Sequence, residues 1–233
     1  MLIVIEGIDG VGKSTQAELL KRLILQHGLQ ADILKFPRYE QTLFGKSIID
    51  YLNGKFGTLY EVIPQFAALL YAGDRFESLN LLNKLIHCND VLILDRYIAS
   101  NLAHQAAKVS NAQTEQLLAW IAEIEYNVYN LPKADITIHL DIPAKLAQKM
   151  IQQKKQRDYT TEKADIHEQD TLYLEKCRQI YQLLANQNYK SRWLTLDCTN
   201  SKGSLQTVIE IQEAIFQALV NEPLFFQILM KMS

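Results

Sequence analysis

Residues Gly7-Ile8-Asp9-Gly10-Val11-Gly12-Lys13-Ser14-Thr15 spell G-x-x-x-x-G-K-S directly after the apolar run Leu2–Ile5. Beyond them apolar residues recur at helical spacing, at Ala17, Leu19, Leu20, Leu23 and Ile24. A buried strand, a glycine loop and a helix N-terminus in this order can cradle an anion. Glycines let successive backbone N–H groups turn inward around phosphate oxygens, and the helix dipole adds to their pull. In such a loop the lysine reaches the terminal phosphates and the following hydroxyl helps to hold Mg²⁺. The alternative is an ordinary glycine-rich strand-to-helix turn, but the flanking strand and helix supply the context that phosphate binding requires. The pattern therefore predicts a nucleoside triphosphate site built from Gly7, Gly10, Val11, Gly12, Lys13, Ser14 and Thr15.

The rest of the chain alternates short apolar runs with helical patterns. Strands are expected at Leu2–Ile5, Ala31–Phe36, Val91–Leu94, Ile136–Leu140 and Trp193–Leu196. Helices are expected near 13–27, 43–53, 60–87, 114–128, 143–153, 167–187 and 204–219. This rhythm predicts an α/β fold with a parallel sheet covered by helices on both faces. With no internal repeat and no Pro/Gly/Ser-rich linker, residues 1–233 are read as one domain. The stretch from Gln152 to Asp165 departs from the rhythm: it carries Lys154, Lys155, Arg157 and Lys163 with few apolar residues. Two readings are open there, a solvated loop and a mobile basic lid.

Composition narrows the function classes. The formal net charge of −2 lacks the basic excess of a dedicated nucleic-acid binder. Three widely spaced cysteines, Cys88, Cys177 and Cys198, without a C-x-x-C pattern, read as reduced thiols filling the interior. The first apolar run is four residues long and meets Glu6, unlike a signal peptide. No stretch approaches the ~20 apolar residues that span a bilayer. A cytoplasmic protein without membrane or nucleic-acid partners is expected.

A second signature follows. Val91–Leu94 runs into Asp95, and an acid at the carboxyl end of a parallel strand lies in the crevice where ligands bind. Asp95 is thus a candidate to support Mg²⁺ or its waters, and Arg96 brings a planar fork suited to phosphate. A structural Arg–Asp pair is the competing reading. A guanine-reading N-K-x-D is absent, since Asn83-Lys84 continues as Leu85-Ile86. An enzyme passing phosphate to a small acceptor suits this pattern better than a GTP switch.

Further segments then fall in a recognisable order: Phe36-Pro37-Arg38, Tyr71-Ala72-Gly73-Asp74-Arg75, Asp95-Arg96-Tyr97 with Ser100-Asn101, and Leu131-Pro132-Lys133-Ala134-Asp135. Together with the phosphate loop, over roughly residues 1–200, they resemble the thymidylate kinases. That resemblance implies a five-stranded parallel sheet, binding of ATP and dTMP, formation of ADP and dTDP, and a homodimer. It implies that Asp9 lies near the acceptor's sugar and the Mg²⁺ shell, an Asx turn being its alternative. Phe36 and Pro37 would wall the acceptor pocket, while Arg38 and Arg96 would touch its phosphate. Tyr71 and Arg75 share a helical face; Tyr71, where the family more often has Phe, would stack on the base, and Arg75 would donate to it. Asn101 would read another edge of the base, beside Ser100.

His104 stands where relatives carry Tyr or Phe against the sugar, and a satisfied structural histidine is its alternative. Some members carry an arginine between the positions of Asp9 and Val11. This chain has Gly10, and forms without that arginine draw a catalytic cation from the lid, which points to Arg157. His167 and Glu168 fall where relatives have Tyr-Glu near the sugar or Mg²⁺ waters, although an acid also favours a helix's first turn. Two alternatives stay open: another nucleoside monophosphate or deoxynucleoside kinase of the same fold, and a nucleotide-dependent interaction protein. The apolar tail from Ile215 to Met230 reads as terminal-helix packing or a subunit contact.

Overall fold

The computed structural model describes residues 1–153 and 170–230. In chain order these form β1 (Leu2–Glu6), α1 (Lys13–Gln26), β2 (Ala31–Lys35), α2 (Leu43–Leu52), α3 (Pro64–Glu77), α4 (Leu79–Cys88) and β3 (Val91–Asp95). There follow α5 (Ile98–Ala106), α6 (Asn111–Ala122), a π-helix (Glu123–Val128), β4 (Ile136–Asp141), α7 (Ala144–Gln153), α8 (Thr171–Asn186), β5 (Arg192–Asp197), α9 (Val208–Val220) and α10 (Pro223–Met230).

The strands pair in parallel in the order β2-β3-β1-β4-β5. Strands β1 and β3 are buried at every residue, whereas in the outer β5 only Trp193 is buried. Runs such as Leu-Ile-Val-Ile suit a strand covered on both faces, as a parallel sheet requires. Pairing of Ile5 with Asp95 sets the carboxyl ends of β1 and β3 side by side. The chain leaves β1 toward one edge and later returns to its other side, so the crevice opens at this switch point.

Local chemistry fixes several helix starts. Thr42 Oγ1 accepts from Gly45 N at 2.7 Å ahead of α2. Asp170 caps α8 through Leu172 N at 2.8 Å and Tyr173 N at 3.0 Å. Thr207 and Glu210 form a capping box at α9. The start of α1 has no side-chain cap, because Gly12 stands there.

Two expected helices differ, and a third helix is additional. The helix expected over 60–87 is α3 and α4, broken at Ser78, whose Oγ donates at 2.8 Å to Asp74 O, the carbonyl that also accepts from Ser78 N at 3.2 Å. The one foreseen over 114–128 starts at Asn111 and widens into the π-helix. Helix α5 was unforeseen; it is short, and the long-range acceptor Glu6 holds its first N–H groups. Cys177 and Cys198 fill the interior as expected, whereas Cys88 ends α4 at the surface. Helix α10 folds back on α9, burying Phe225 edge-on to Phe216 at 6.2 Å. Burying such a side chain stabilises by about 1.5–3 kcal/mol. No described helix is long and apolar enough to cross a membrane.

Candidate active site

The loop between β1 and α1 wraps its own lysine. Lys13 Nζ donates to Gly7 O at 3.0 Å and to Ile8 O at 2.8 Å. Burial pulls the ammonium down to about 7, Arg96 pushes the same way, and Asp9, Asp95 and Glu6 oppose them. Gly10 (φ +90°) lies under α7 so closely that a Cβ would stand 2.5 Å from Ala147 O. Gly12 (φ +92°) has open space around it but needs the left-handed backbone. The uncapped N–H groups of α1 are therefore open to an anion.

Ser14 Oγ donates to Asp95 Oδ2, and Lys35 Nζ lies 3.8 Å from the same oxygen. The described residues contain no cluster of three or more His, Cys, Asp or Glu able to cage a metal. One hydroxyl and one carboxylate side by side fit Mg²⁺, which keeps several waters and takes its other ligands from phosphates. Asp9, also expected near the metal, is paired with Arg96 Nη2.

Arg96 adopts φ +70°, and its N–H donates to Ile5 O at 3.1 Å. Its Nη1 donates to Ser100 Oγ at 2.9 Å. Behind it lies Glu6, wholly buried, accepting from Tyr97 N at 2.8 Å, Ser100 N at 3.1 Å, Ser100 Oγ at 2.6 Å and Tyr181 Oη at 3.0 Å. Burial raises the Glu6 carboxyl above its usual range, with the Ser100 hydrogen bond and Arg96 opposing. Glu6 was not singled out from the sequence; its only signal was an acid closing an otherwise apolar central strand.

A half-open pocket lies beside Asp9 and Arg96. Of the residues expected there, Phe36, Pro37, Tyr71, Arg75, Ser100, Asn101 and His104 line it, joined by Tyr39, Leu52, Tyr97 and Gln105. Tyr71 stands edge-on to Tyr51, with ring centres 6.3 Å apart. Arg75 donates from Nε and Nη2 to Glu125 at 2.6 and 2.5 Å, and both side chains are buried. Asn101 Oδ1 and both amide atoms of Gln105 are buried with no hydrogen-bond partner among the described residues. Buried polar atoms are nearly always paired, so this wall is one that a polar ligand would complete.

His104 Nδ1 lies 3.0 Å from Tyr173 Oη, and burial, aided by Arg96, lowers its pKa to about 3. It faces the cavity as a neutral ring.

Other expected residues lie elsewhere. The guanidinium of Arg38 donates from Nη1 to Ser78 Oγ at 3.1 Å, and the residue does not line the cavity. A hydroxyl one helix away captured it. Asp135 is structural, accepting from Leu2 N at 2.7 Å. Arg157, His167, Glu168 and all of the 152–165 lid beyond Gln153 lie outside the described residues.

Known proteins resemble this chain in sequence and in fold. The sequence model of the thymidylate kinase family matches residues 5–209. A thymidylate kinase of Mycobacterium tuberculosis is 34% identical over 209 residues, which is 90% of this chain and 97% of that protein. Human thymidylate kinase is 31% identical over 141 residues, 60% of each chain. A solved thymidylate kinase from Candida albicans shares the fold, with TM-score 0.69 over 96% of this chain and 92% of its own, at 24% identity. Because the family's sequence model matches residues 5–209 and a curated member is 34% identical over 90% of the chain, the chain belongs to the thymidylate kinase family.

Proposed function

We propose that this chain transfers the γ-phosphoryl group of ATP to dTMP, forming ADP and dTDP in the supply of dTTP. The observation that carries the reading is one pocket shared by the phosphate-loop residue Asp9, Arg96, and the Asn101 and Gln105 amides, which have polar atoms without a hydrogen-bond partner among the described residues. Phosphate binds at Arg96 and a flat polar ring at the two amides.

A phosphate monoester is already anionic near neutral pH, so no general base is needed. The chain's work is to bring two polyanions together and to neutralise charge on the transferred group. Lys13 exchanges the Gly7 and Ile8 carbonyls for the donor's terminal phosphates. Arg96, backed by Ser100 and Glu6, orients the acceptor phosphate. Asp9 meets the acceptor sugar, Tyr71 and Phe36 sandwich the base, and Arg75 and Asn101 read its edge. When bound at Ser14 and Asp95, Mg²⁺ would neutralise phosphate charge. Arg157 is the lid cation in this scheme, with His167 and Glu168 near the sugar. The enzyme is one catalytic unit, cytoplasmic and homodimeric.

The test is ADP release from ATP with dTMP, dUMP, dCMP, dAMP or no acceptor. Turnover with dTMP well above all but dUMP is expected. Losing the 5-methyl contact costs dUMP only about 1–3 kcal/mol. Lys13→Ala should abolish turnover while leaving dTMP binding intact. Equal rates for all acceptors would favour a broad nucleotide kinase, and near-normal kcat in the lysine variant would refute the scheme.

A further inference from the structure

Glu125 sits in the π-helix, wholly buried and outside every motif used above. Insertion of a π turn into a helix is frequent at functional sites. Glu125 reaches the cavity through two other residues. Its carboxylate takes both donors of the Arg75 fork, and Oε1 also accepts from Asn101 Nδ2 at 2.8 Å. The other hydrogen of that amide goes to Ala68 O at 3.0 Å. Turning the Asn101 amide over would set Oδ1 against a carboxylate and a carbonyl, with no proton between any of them. The orientation is therefore forced: Oδ1, an acceptor only, is what Asn101 has left to offer a ligand. Arg75 can offer only donors. Gln105 has neither amide atom engaged among the described residues, so it can turn to suit either kind of ring edge.

We propose that Glu125 is a positioning residue that determines base specificity. It holds Asn101 as an acceptor beside Arg75 as a donor, so the cavity accepts a pyrimidine with a ring N–H next to a carbonyl oxygen. A ring with an unprotonated nitrogen next to an amino group meets acceptor with acceptor and donor with donor, and is refused. This rests on the reading that the cavity holds the base of the acceptor nucleotide.

The experiment compares kcat and KM for dTMP and dCMP in the full-length wild type and in Glu125→Gln, with KM for ATP alongside. A neutral amide at this site lets the Asn101 amide turn over. The dTMP:dCMP ratio of kcat/KM should fall by at least about thirtyfold, chiefly through KM for the nucleotide, from one re-paired buried hydrogen bond. KM for ATP should stay within about threefold, a split that general loosening of the fold would not produce. A folded variant with an unchanged ratio, in a wild type active on dTMP, overturns the role of Glu125 alone. A wild type inactive on dTMP overturns the functional reading and this inference with it. Should the variant not fold, ¹⁵N-labelled asparagine in the wild type decides. The Asn101 amide protons should exchange slowly both without ligand and with dTMP bound; exchange as fast as a solvated amide in either state overturns the proposal.

Discussion

Gly10→Ala isolates what holds the phosphate loop in shape. Two costs apply to this substitution. A φ of +90° strains any residue with a Cβ, by about 1–3 kcal/mol. The new methyl would also stand 2.5 Å from Ala147 O, 3.1 Å from Ala147 C and 3.2 Å from Ile151 Cγ1. The first two of these are helix backbone, and both residues are buried in α7, so nothing can swing aside. Such overpacking adds about 1–3 kcal/mol. Gly12→Ala is the matched control: its φ is +92°, and no atom lies within 4 Å of the added Cβ. Urea unfolding of both variants should give a loss for Gly10→Ala exceeding that for Gly12→Ala by about 1–3 kcal/mol, with unchanged m. Gly10→Ala should also raise KM for ATP, because the loop must leave α7 to make room. Equal losses in the two variants would refute the steric argument. An arginine at this position carries the same Cβ, so Gly10→Arg should displace α7 rather than simply add a cation.

Arg75→Ala should weaken dTMP far more than ATP, read from the two KM values; equal losses would remove the base-reading role. The same variant strands Glu125 as an uncompensated buried charge, so its urea midpoint should report a loss of about 3–5 kcal/mol. His139, buried and stacked on Tyr181 at 5.4 Å, has its pKa lowered to about 4, chiefly by burial. The unfolded chain takes up this proton near pH 6.5, so the contribution of neutral His139 is complete above that value and is lost as pH falls toward about 4. Between about pH 7.5 and about pH 5, the unfolding free energy of wild type should drop by about 2 kcal/mol relative to His139→Phe. A pH-independent difference would contradict this.

Much of the site could be read from contiguous residues. The phosphate loop needs glycines, lysine and serine at fixed neighbouring positions, and an acid closing a buried strand lies at the carboxyl rim by construction. Tyr71 and Arg75 share a face because helical geometry makes them do so. Other features had no local signature. Glu6 meets Tyr181, Arg75 meets Glu125, and Asn101 meets Ala68 across separations of 175, 50 and 33 residues. Arg38 follows its motif in sequence, yet its guanidinium is held by Ser78. Gln105 carried no pattern at all, being one polar residue on a short buried helix.

The amino-acid order by itself determined the alternating α/β plan and the anion loop, because periodicity and backbone geometry act between residues a few positions apart. Only tertiary structure decided which way the buried amides and guanidinia point. That choice depends on long-range partners competing for each hydrogen, and in a closed interior the best-placed acceptor prevails.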